Sequence, residues 1–198
     1  AAILVLLGLW ILIIYTNIVC FYLGIAALFW YNILYTPLKR FSSLAVIPGS
    51  VIGSIPPIIG WAAAGGDLLD PTIVFLALFV FIWQIPHFWL LLLIYNDEYS
   101  KADYPTLTNI IGPVSLKRLT FIWIVALVTC GVIIPYFSFT KELIVLSILF
   151  ILGLILIFRS KRVLTETLDS KGFFAVFTEL NIYVLVVLLV LSVNRLLN

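Results

Sequence analysis

Long apolar runs separated by short polar loops are the feature that most constrains the fold of this chain. Seven such runs occur within 198 residues. They are Ala1–Tyr15, Ile18–Thr36, Ala45–Ala64, Thr72–Tyr95, Leu119–Phe137, Leu143–Phe158 and Phe174–Leu197. Backbone polar groups inside a bilayer must be hydrogen-bonded internally, so these runs predict helices. The sequence therefore predicts an all-α, polytopic transmembrane helical bundle with about seven transmembrane helices, organised as one domain.

Composition excludes the main soluble classes of protein. Hydrophobic residues make up 64% of the chain and charged residues 10%, whereas a soluble domain is usually about a quarter charged. This leaves too little polar surface for a water-soluble enzyme. The net charge of +2 is too small to indicate a nucleic-acid partner. The expected environment is the lipid bilayer.

The first apolar run is short for a membrane span. As a helix it would extend about 22 Å, which is less than the roughly 30 Å of a hydrocarbon core. The chain also begins with alanine and contains no methionine. We therefore expect residue 1 to lie partway along a helix of a longer precursor.

Basic residues concentrate at one end of the predicted bundle. Nine of the eleven Lys and Arg residues fall in the loops after the second, fourth and sixth runs. They are Lys39, Arg40, Lys101, Lys117, Arg118, Arg159, Lys161, Arg162 and Lys171. The positive-inside rule places these loops in the cytoplasm and the C-terminus outside.

The third run combines small residues with prolines. Gly49 and Gly53 are four residues apart and would allow close helix packing on one face. Pro48, Pro56 and Pro57 should kink or break the helix. Either a kinked packing helix or the wall of an intramembrane cavity fits this pattern.

The fourth run carries the polar motif Trp83-Gln-Ile-Pro-His-Phe-Trp89, which includes the only histidine of the chain. Gln84 and His87 are three residues apart and should lie on similar faces of a helix. Polar groups inside a membrane tend to face the bundle interior and often mark function. A structural hydrogen bond to a neighbouring helix is the alternative.

An acidic loop follows this helix. Asp97, Glu98 and Asp103 place three carboxylates within seven residues. Carboxylate oxygens are ligands that Mg²⁺ uses, usually one or two of them together with substrate phosphate and water. A solvated loop is the alternative interpretation.

A basic pair ends the second run, in Tyr35-Thr-Pro-Leu-Lys-Arg40. Lys39 and Arg40 could hold phosphate oxygens, and Tyr35 could offer a hydroxyl or a ring face to a cation. Basic residues also simply favour the C-terminal ends of helices. Because the acidic and basic loops face the same side, the combination suits a lipid diphosphate with its tail in the bundle.

Four motifs in order now resemble one family. They are Tyr35-Thr-Pro-Leu-Lys-Arg40, Pro56-Pro-Ile-Ile-Gly-Trp61, Trp83-Gln-Ile-Pro-His-Phe88, and Asp97-Glu-Tyr leading to Pro105-Thr-Leu107. The chain resembles the haem O synthases, or protohaem IX farnesyltransferases, among the UbiA-type intramembrane prenyltransferases. The resemblance implies the third to ninth of nine transmembrane helices in a bacterial plasma (inner) membrane. It also places the family's first acidic motif upstream of Ala1, and Asp103 where the family usually has glycine.

The resemblance implies a reaction and its partners. A farnesyl group would pass from farnesyl diphosphate to a vinyl group of haem b with the help of Mg²⁺. Terminal oxidase assembly factors would be further partners. Asp97 and Glu98 would serve the metal, Lys39 and Arg40 would contact diphosphate, and Tyr35 would line the carbocation site.

The same resemblance assigns the haem side of the site. His87 would be a haem-side residue, either an axial ligand or a propionate partner. Gln84 and Trp83 would bind haem beside it.

Three alternatives stay open. The chain could be a non-catalytic relative that acts as a structural or haem-handling membrane subunit, or a prenyltransferase for a quinone precursor. It could also be a transporter that uses Glu179 and Asn181, although snorkelling or bundle hydrogen bonds explain these two residues more simply. A retinal protein is excluded, because the last run has no lysine for a Schiff base.

Overall fold

The protein is a bundle of helices that run alternately up and down. The structure is a computed structural model that describes residues 2–101, 105–137, 143–165 and 168–197, and only the backbone at 97, 100 and 101. In these ranges the elements are α1 (Ala2–Tyr15), α2 (Ile18–Phe29), a π-helix (Trp30–Tyr35), α3 (Thr36–Phe41), α4 (Val46–Ala63), α5 (Pro71–Ile94), α6 (Asn96–Lys101), α7 (Leu107–Phe137), α8 (Leu143–Ser160), a 3₁₀-helix (Lys161–Leu164) and α9 (Ser170–Leu197).

Six helical stretches within the described residues are long and apolar enough to cross a membrane. They are Ile18–Phe41, Val46–Ala63, Pro71–Ile94, Leu107–Phe137, Leu143–Leu164 and Ser170–Leu197. The seventh apolar helix, α1, has 14 residues and extends about 21 Å. The prediction of a polytopic helical membrane protein is confirmed, with six full-length spans and one shorter helix instead of seven spans.

A tight turn at Thr16 and Asn17 joins α1 to α2. The Asn17 side chain accepts a hydrogen bond from the Cys20 N–H (3.0 Å), which caps the first turn of α2. Its Nδ2 donates to the Ala62 carbonyl near the end of α4 (2.6 Å). The Asn17 side chain therefore caps α2 and holds it against α4.

The prolines of α4 do not interrupt the helix. Pro56 and Pro57 lie inside a single α-helix that runs from Val46 to Ala63, so of the two predicted effects, a kink or a break, the break does not occur. Proline removes a backbone donor and would normally weaken a helix here. Two side chains from the preceding helical segment bond to α4, since Trp30 Nε1 donates to the Pro48 carbonyl (2.8 Å) and Cys20 Sγ to the Ile59 carbonyl (3.4 Å).

The segment between α5 and the next span is more helical than predicted. We expected residues 96–118 to form a loop before a helix beginning at Leu119, but α6 begins at Asn96 and α7 at Leu107. Gly112 interrupts α7 with φ +77° and ψ 158°. Glycine adopts this φ without a Cβ penalty, and Pro113 then fits the first turn of the resumed helix. The helix therefore bends sharply where it leaves the basic end.

The core lies where α5, α7, α8 and α9 meet. Phe79, Leu127, Leu149 and Leu180 are fully buried there. Gly131 of α7 faces this core. A Cβ at Gly131 would lie 2.7 Å from the Tyr183 hydroxyl oxygen and 3.1 Å from Phe79 Cε2.

Gly131→Val should lower the stability of the bundle by about 1–3 kcal/mol, because the new side chain would overpack a closed helix crossing. The thermal denaturation midpoint in detergent would show this. Gly8→Val is the matched control, since nothing lies within 4 Å of a Cβ at that helical glycine. Equal shifts for both variants would contradict the packing assignment.

Candidate active site

Two adjoining cavities open between α3, α4, α5 and α6. The outer cavity has a volume of about 360 Å³ and is lined at the helix ends by Tyr35, Lys39, Ser42, Ser43, Ala45, Val46, Phe88, Trp89, Leu92, Tyr99, Pro105, Thr106 and Leu107. The inner cavity, of about 400 Å³, is lined deeper in the bundle by Tyr31, Tyr35, Val46, Gly49, Ile52, Gly53, Gln84 and Phe88. Because Tyr35, Val46 and Phe88 line both, the two cavities share a wall and form one candidate site with a more polar outer part.

Tyr35 lies at the junction of the two cavities because of a local change in helix type. It ends the π-helix Trp30–Tyr35, whose wider turn changes the direction of the side chains that follow. The Thr36 hydroxyl bonds to the Tyr31 carbonyl five residues earlier (2.8 Å). The Tyr31 and Tyr35 rings are 5.6 Å apart, between centroids, and form one wall of the inner cavity. A π-helical turn often occurs at functional sites.

The two predicted diphosphate-binding residues differ in position. Lys39 is half-buried, lines the outer cavity, and has its Nζ 5.8 Å from the centre of the Tyr35 ring. Arg40 is exposed and does not line either cavity. Among the side chains that the structure describes, no carboxylate forms an ion pair with Lys39. The Lys39 ammonium can therefore meet an anionic ligand in the outer cavity.

The short helix that carries Asp97 and Glu98 lies at the mouth of the outer cavity. Asp97 and Glu98 belong to the short helix α6, and the next residue, Tyr99, lines the cavity. Glu98 is exposed, while the Asp97 side chain and the whole of Asp103 lie outside the described residues. No group of three His, Cys, Asp or Glu side chains in the described ranges could hold a metal alone. Two carboxylates nevertheless fit Mg²⁺, which takes its remaining ligands from phosphate and water.

A chain of hydrogen bonds fixes the start of α7 beside this mouth. Thr108 Oγ1 donates to Asn96 Oδ1 (2.7 Å) and lies 3.0 Å from Thr106 Oγ1. Thr106 is 2% exposed. Thr106 belongs to the motif Pro105-Thr-Leu107, whereas no sequence motif pointed to Thr108. The threonines hold α6 and the cavity wall at Thr106 and Leu107 together.

Two polar groups of the Trp83 motif are directed at α9. Asn181 Oδ1 accepts a hydrogen bond from Trp83 Nε1 (3.1 Å) and lies 2.9 Å from His87 Nδ1. The His87 ring also packs against Phe177 and Phe88, with centroids 4.7 and 5.2 Å away. The predicted alternative of a hydrogen bond between helices is therefore present at His87.

Comparison with known proteins gives the family of this fold and site. The UbiA prenyltransferase family matches residues 1–193. The chain belongs to the UbiA prenyltransferase family. Protoheme IX farnesyltransferases of three bacteria are among the proteins to which this UbiA-family chain is similar. No solved structure gives a significant match.

These relatives differ in how much of the chain they cover. The protein of Geobacter sulfurreducens is 43% identical over 59% of this chain and 43% of its own length. That of Oleidesulfovibrio alaskensis is 33% identical over 88% of this chain and 59% of its own length. That of a Synechococcus strain is 30% identical over 98% of this chain and 59% of its own length. The chain thus spans about half the length of the curated relatives it matches.

The UbiA-family site separates two residues that the sequence placed together. Gln84 and His87 were expected on similar faces, yet they meet different helices. His87 bonds to Asn181 of α9, whereas the Gln84 amide packs directly on Gly53 of α4, where a Cβ would overlap it. Residues three apart on a helix differ by about 60° around its axis, which is enough to reach two neighbours. Gln84 therefore lines the inner cavity, whereas Trp83, like His87, contacts Asn181.

The glycines of α4 leave room for side chains of neighbouring helices in this UbiA-family bundle. A Cβ at Gly49 would lie 2.7 Å from Tyr35 Cε2, and a Cβ at Gly53 would overlap Gln84. The predicted close packing of the Gly49–Gly53 face is confirmed, and both glycines also line the inner cavity. Both interpretations of the third run therefore apply to α4, which is a packing helix and a cavity wall at the same time.

Glu179, a candidate for a transporter, is an ion-pair residue here. Its carboxylate lies 2.5 Å from Arg159 Nη2 and 2.6 Å from Arg162 Nη2. The two pairs attach α8 and the 3₁₀-helix to α9. A carboxylate neutralised by two arginines is a poor carrier of protons or cations across the bundle.

Proposed function

We propose that the protein is a protohaem IX farnesyltransferase that joins the farnesyl group of farnesyl diphosphate to a vinyl group of haem b, giving haem O. The pair of adjoining cavities supports this proposal, because the cavity at the helix ends is the more polar of the two and contains Lys39, while the deeper one is mainly apolar. An amphiphile with an anionic head and a long apolar tail matches this arrangement. The relatives named for farnesyl transfer to protohaem support the choice of substrates.

The diphosphate head would lie in the outer cavity. Lys39 lines this cavity and supplies a positive charge, and Arg40 follows it on the same short helix, α3. Asp97 and Glu98 of α6 would hold Mg²⁺ together with the diphosphate oxygens. Bound there, Mg²⁺ would neutralise negative charge on the departing diphosphate.

The farnesyl tail would lie in the inner cavity. Ile52, Val46 and the two glycines of α4 give it an apolar wall. Tyr35 and Phe88 line both cavities and so lie where the head meets the tail. Their ring faces would stabilise positive charge on the allylic carbon as the diphosphate leaves.

The reaction balances without a redox partner. The bond between farnesyl C1 and the diphosphate oxygen breaks, and the diphosphate takes the electron pair. The terminal carbon of the haem vinyl group then bonds to C1, which leaves a cation on the inner vinyl carbon. Water adds to that carbon and loses a proton, giving the hydroxyethylfarnesyl group.

The haem side of the site would involve His87 and Trp83. His87 would bind haem b as an axial ligand or through a propionate. Phe88 supports this placement, because its ring contacts His87 and also lines both cavities. Gln84 lines the inner cavity and would border the farnesyl tail.

The distribution of basic residues indicates how the protein would be oriented in its membrane. The basic loops would face the cytoplasm of a bacterium, the C-terminus would lie outside the plasma (inner) membrane, and the diphosphate would enter from the cytoplasmic side. Terminal oxidase assembly factors would receive the product. The 198 residues would act as one domain.

Lys39→Gln should raise the KM for farnesyl diphosphate by roughly 10-fold, because it removes the charge that faces the outer cavity. The KM for haem b should not change. Arg40→Gln is the matched control, since the neighbouring exposed arginine does not line the cavity, and its effect should be smaller. A larger effect at Arg40 than at Lys39 would contradict the placement of the head group.

A further inference from the structure

Asn181 is a polar residue in the middle of the apolar helix α9, and its amide has three partners. Its Oδ1 accepts from Trp83 Nε1 (3.1 Å) and lies 2.9 Å from His87 Nδ1. Its Nδ2 donates to the Phe177 carbonyl one turn earlier in α9 (2.7 Å). The amide therefore connects its own helix to two residues of α5.

These partners fix the orientation of the amide. An indole N–H is only a donor, and a backbone carbonyl is only an acceptor. Rotating the Asn181 amide by half a turn would direct its NH₂ group at the Trp83 N–H and its oxygen at the Phe177 carbonyl. Both contacts would be repulsive, so Oδ1 must face α5.

The orientation of the amide in turn determines the state of His87. An amide oxygen accepts only, so His87 Nδ1 must donate the proton of the 2.9 Å contact. In a neutral imidazole, a proton on Nδ1 leaves the lone pair on Nε2. No residue in the described part of the chain is hydrogen-bonded to Nε2.

The surrounding rings hold the imidazole in place. Phe177, Trp83 and Phe88 pack around His87 with centroid distances of 4.7, 5.2 and 5.2 Å. Because Trp83 is itself bonded to Asn181, the ring and its hydrogen-bond acceptor are fixed by the same contacts.

We infer that Asn181 is a positioning residue that holds His87 in the Nδ1–H tautomer and leaves the Nε2 lone pair for an electron-pair acceptor carried by the substrate. The nature of that acceptor rests on the proposed function, which supplies one in the iron of haem b. A hydrogen bond from the far nitrogen of a histidine fixes its tautomer and raises its basicity toward a metal. Asn181 would thus act on haem through His87.

The tautomer can be measured without substrate, because His87 is the only histidine of the chain. In protein labelled with ¹⁵N-histidine, the nitrogen spectrum should show a protonated, pyrrole-type Nδ1 and an unprotonated, pyridine-type Nε2. Asn181→Asp keeps an acceptor oxygen and should keep the proton on Nδ1. Asn181→Leu removes the acceptor and should shift the population toward the Nε2–H tautomer.

Two further variants separate this effect from a change in folding. Thr178→Val removes a hydroxyl group on the same helix that bonds only a backbone carbonyl of that helix, and it should leave the tautomer unchanged. Trp83→Phe keeps the Asn181 oxygen for His87 and should retain Nδ1–H. A wild-type spectrum with the proton on Nε2, or a folded Asn181→Leu protein with an unchanged spectrum, would overturn the positioning role.

A second readout tests the acceptor. In a titration with ferric haem followed by its Soret absorption, His87→Ala should abolish the shift of a histidine-ligated haem, and Asn181→Leu should weaken binding by about 10–100-fold. An Nδ1–H tautomer together with a haem spectrum that His87→Ala does not alter would overturn the assignment to haem iron. That result would contradict the proposed haem side of the site and leave the positioning of His87 by Asn181 intact.

Discussion

Mg²⁺-dependent farnesyl transfer should fall by roughly 10²–10³-fold when Asp97 and Glu98 are both replaced with alanine, because the charge of the departing diphosphate would lose the metal that neutralises it. These two residues lie on α6, next to Tyr99 in the wall of the outer cavity. The yield of farnesylated haem, measured at several Mg²⁺ concentrations, gives the effect. The concentration of Mg²⁺ needed for half-maximal activity should rise in each single variant.

The control for the acidic pair removes a carboxylate elsewhere. Asp67 lies in the loop between α4 and α5, at the opposite end of the bundle from α6. Asp67→Ala should leave the Mg²⁺ dependence of farnesyl transfer unchanged. Normal haem O output from the Asp97→Ala, Glu98→Ala protein would show that these carboxylates do not bind the metal.

Gly53→Leu should reduce kcat/KM for farnesyl diphosphate by at least about 10-fold, because a misfit of one methylene in an apolar pocket already costs roughly 10–200-fold. A side chain at this position must displace the Gln84 amide and fill part of the inner cavity. Geranyl diphosphate is one isoprene unit shorter and should lose less. The ratio of the two kcat/KM values measures this difference.

Gly60→Leu is the matched control for the inner cavity. Gly60 is in the same helix, and nothing lies within 4 Å of a Cβ there. It should leave the ratio of farnesyl to geranyl transfer as in the unmodified protein. An equal loss for both diphosphates in Gly53→Leu would mean that residue 53 affects folding and not tail length.

The sequence predicted the helical spans because they depend on local composition. Apolar runs must form helices in lipid, so the spans were evident from hydropathy alone. Positive-inside bias brought Lys39 and the α6 carboxylates to one end, and the structure places Lys39 and α6 around one cavity. These features required no knowledge of packing between distant residues.

The remaining features depend on contacts between helices. The π-helix that directs Tyr35 has no clear sequence signal, and neither does the split of Gln84 and His87 between α4 and α9. The Gly112-Pro113 pair is consistent with an earlier start of α7, but it is equally consistent with a loop, so it could not decide between the two. Of the two explanations expected for Asn181, snorkelling and a bundle hydrogen bond, the structure shows the hydrogen bond, but its partners 94 and 98 residues away could not be identified from its position.

The most direct test of the account is the product formed by the native protein that contains these 198 residues. Membranes carrying this protein would be incubated with haem b, farnesyl diphosphate and Mg²⁺, and the extracted haem analysed by mass spectrometry. The account predicts a haem that has gained one hydroxyethylfarnesyl group. Recovery of unmodified haem would contradict this prediction, both when a quinone precursor is prenylated in its place and when no prenylated product forms.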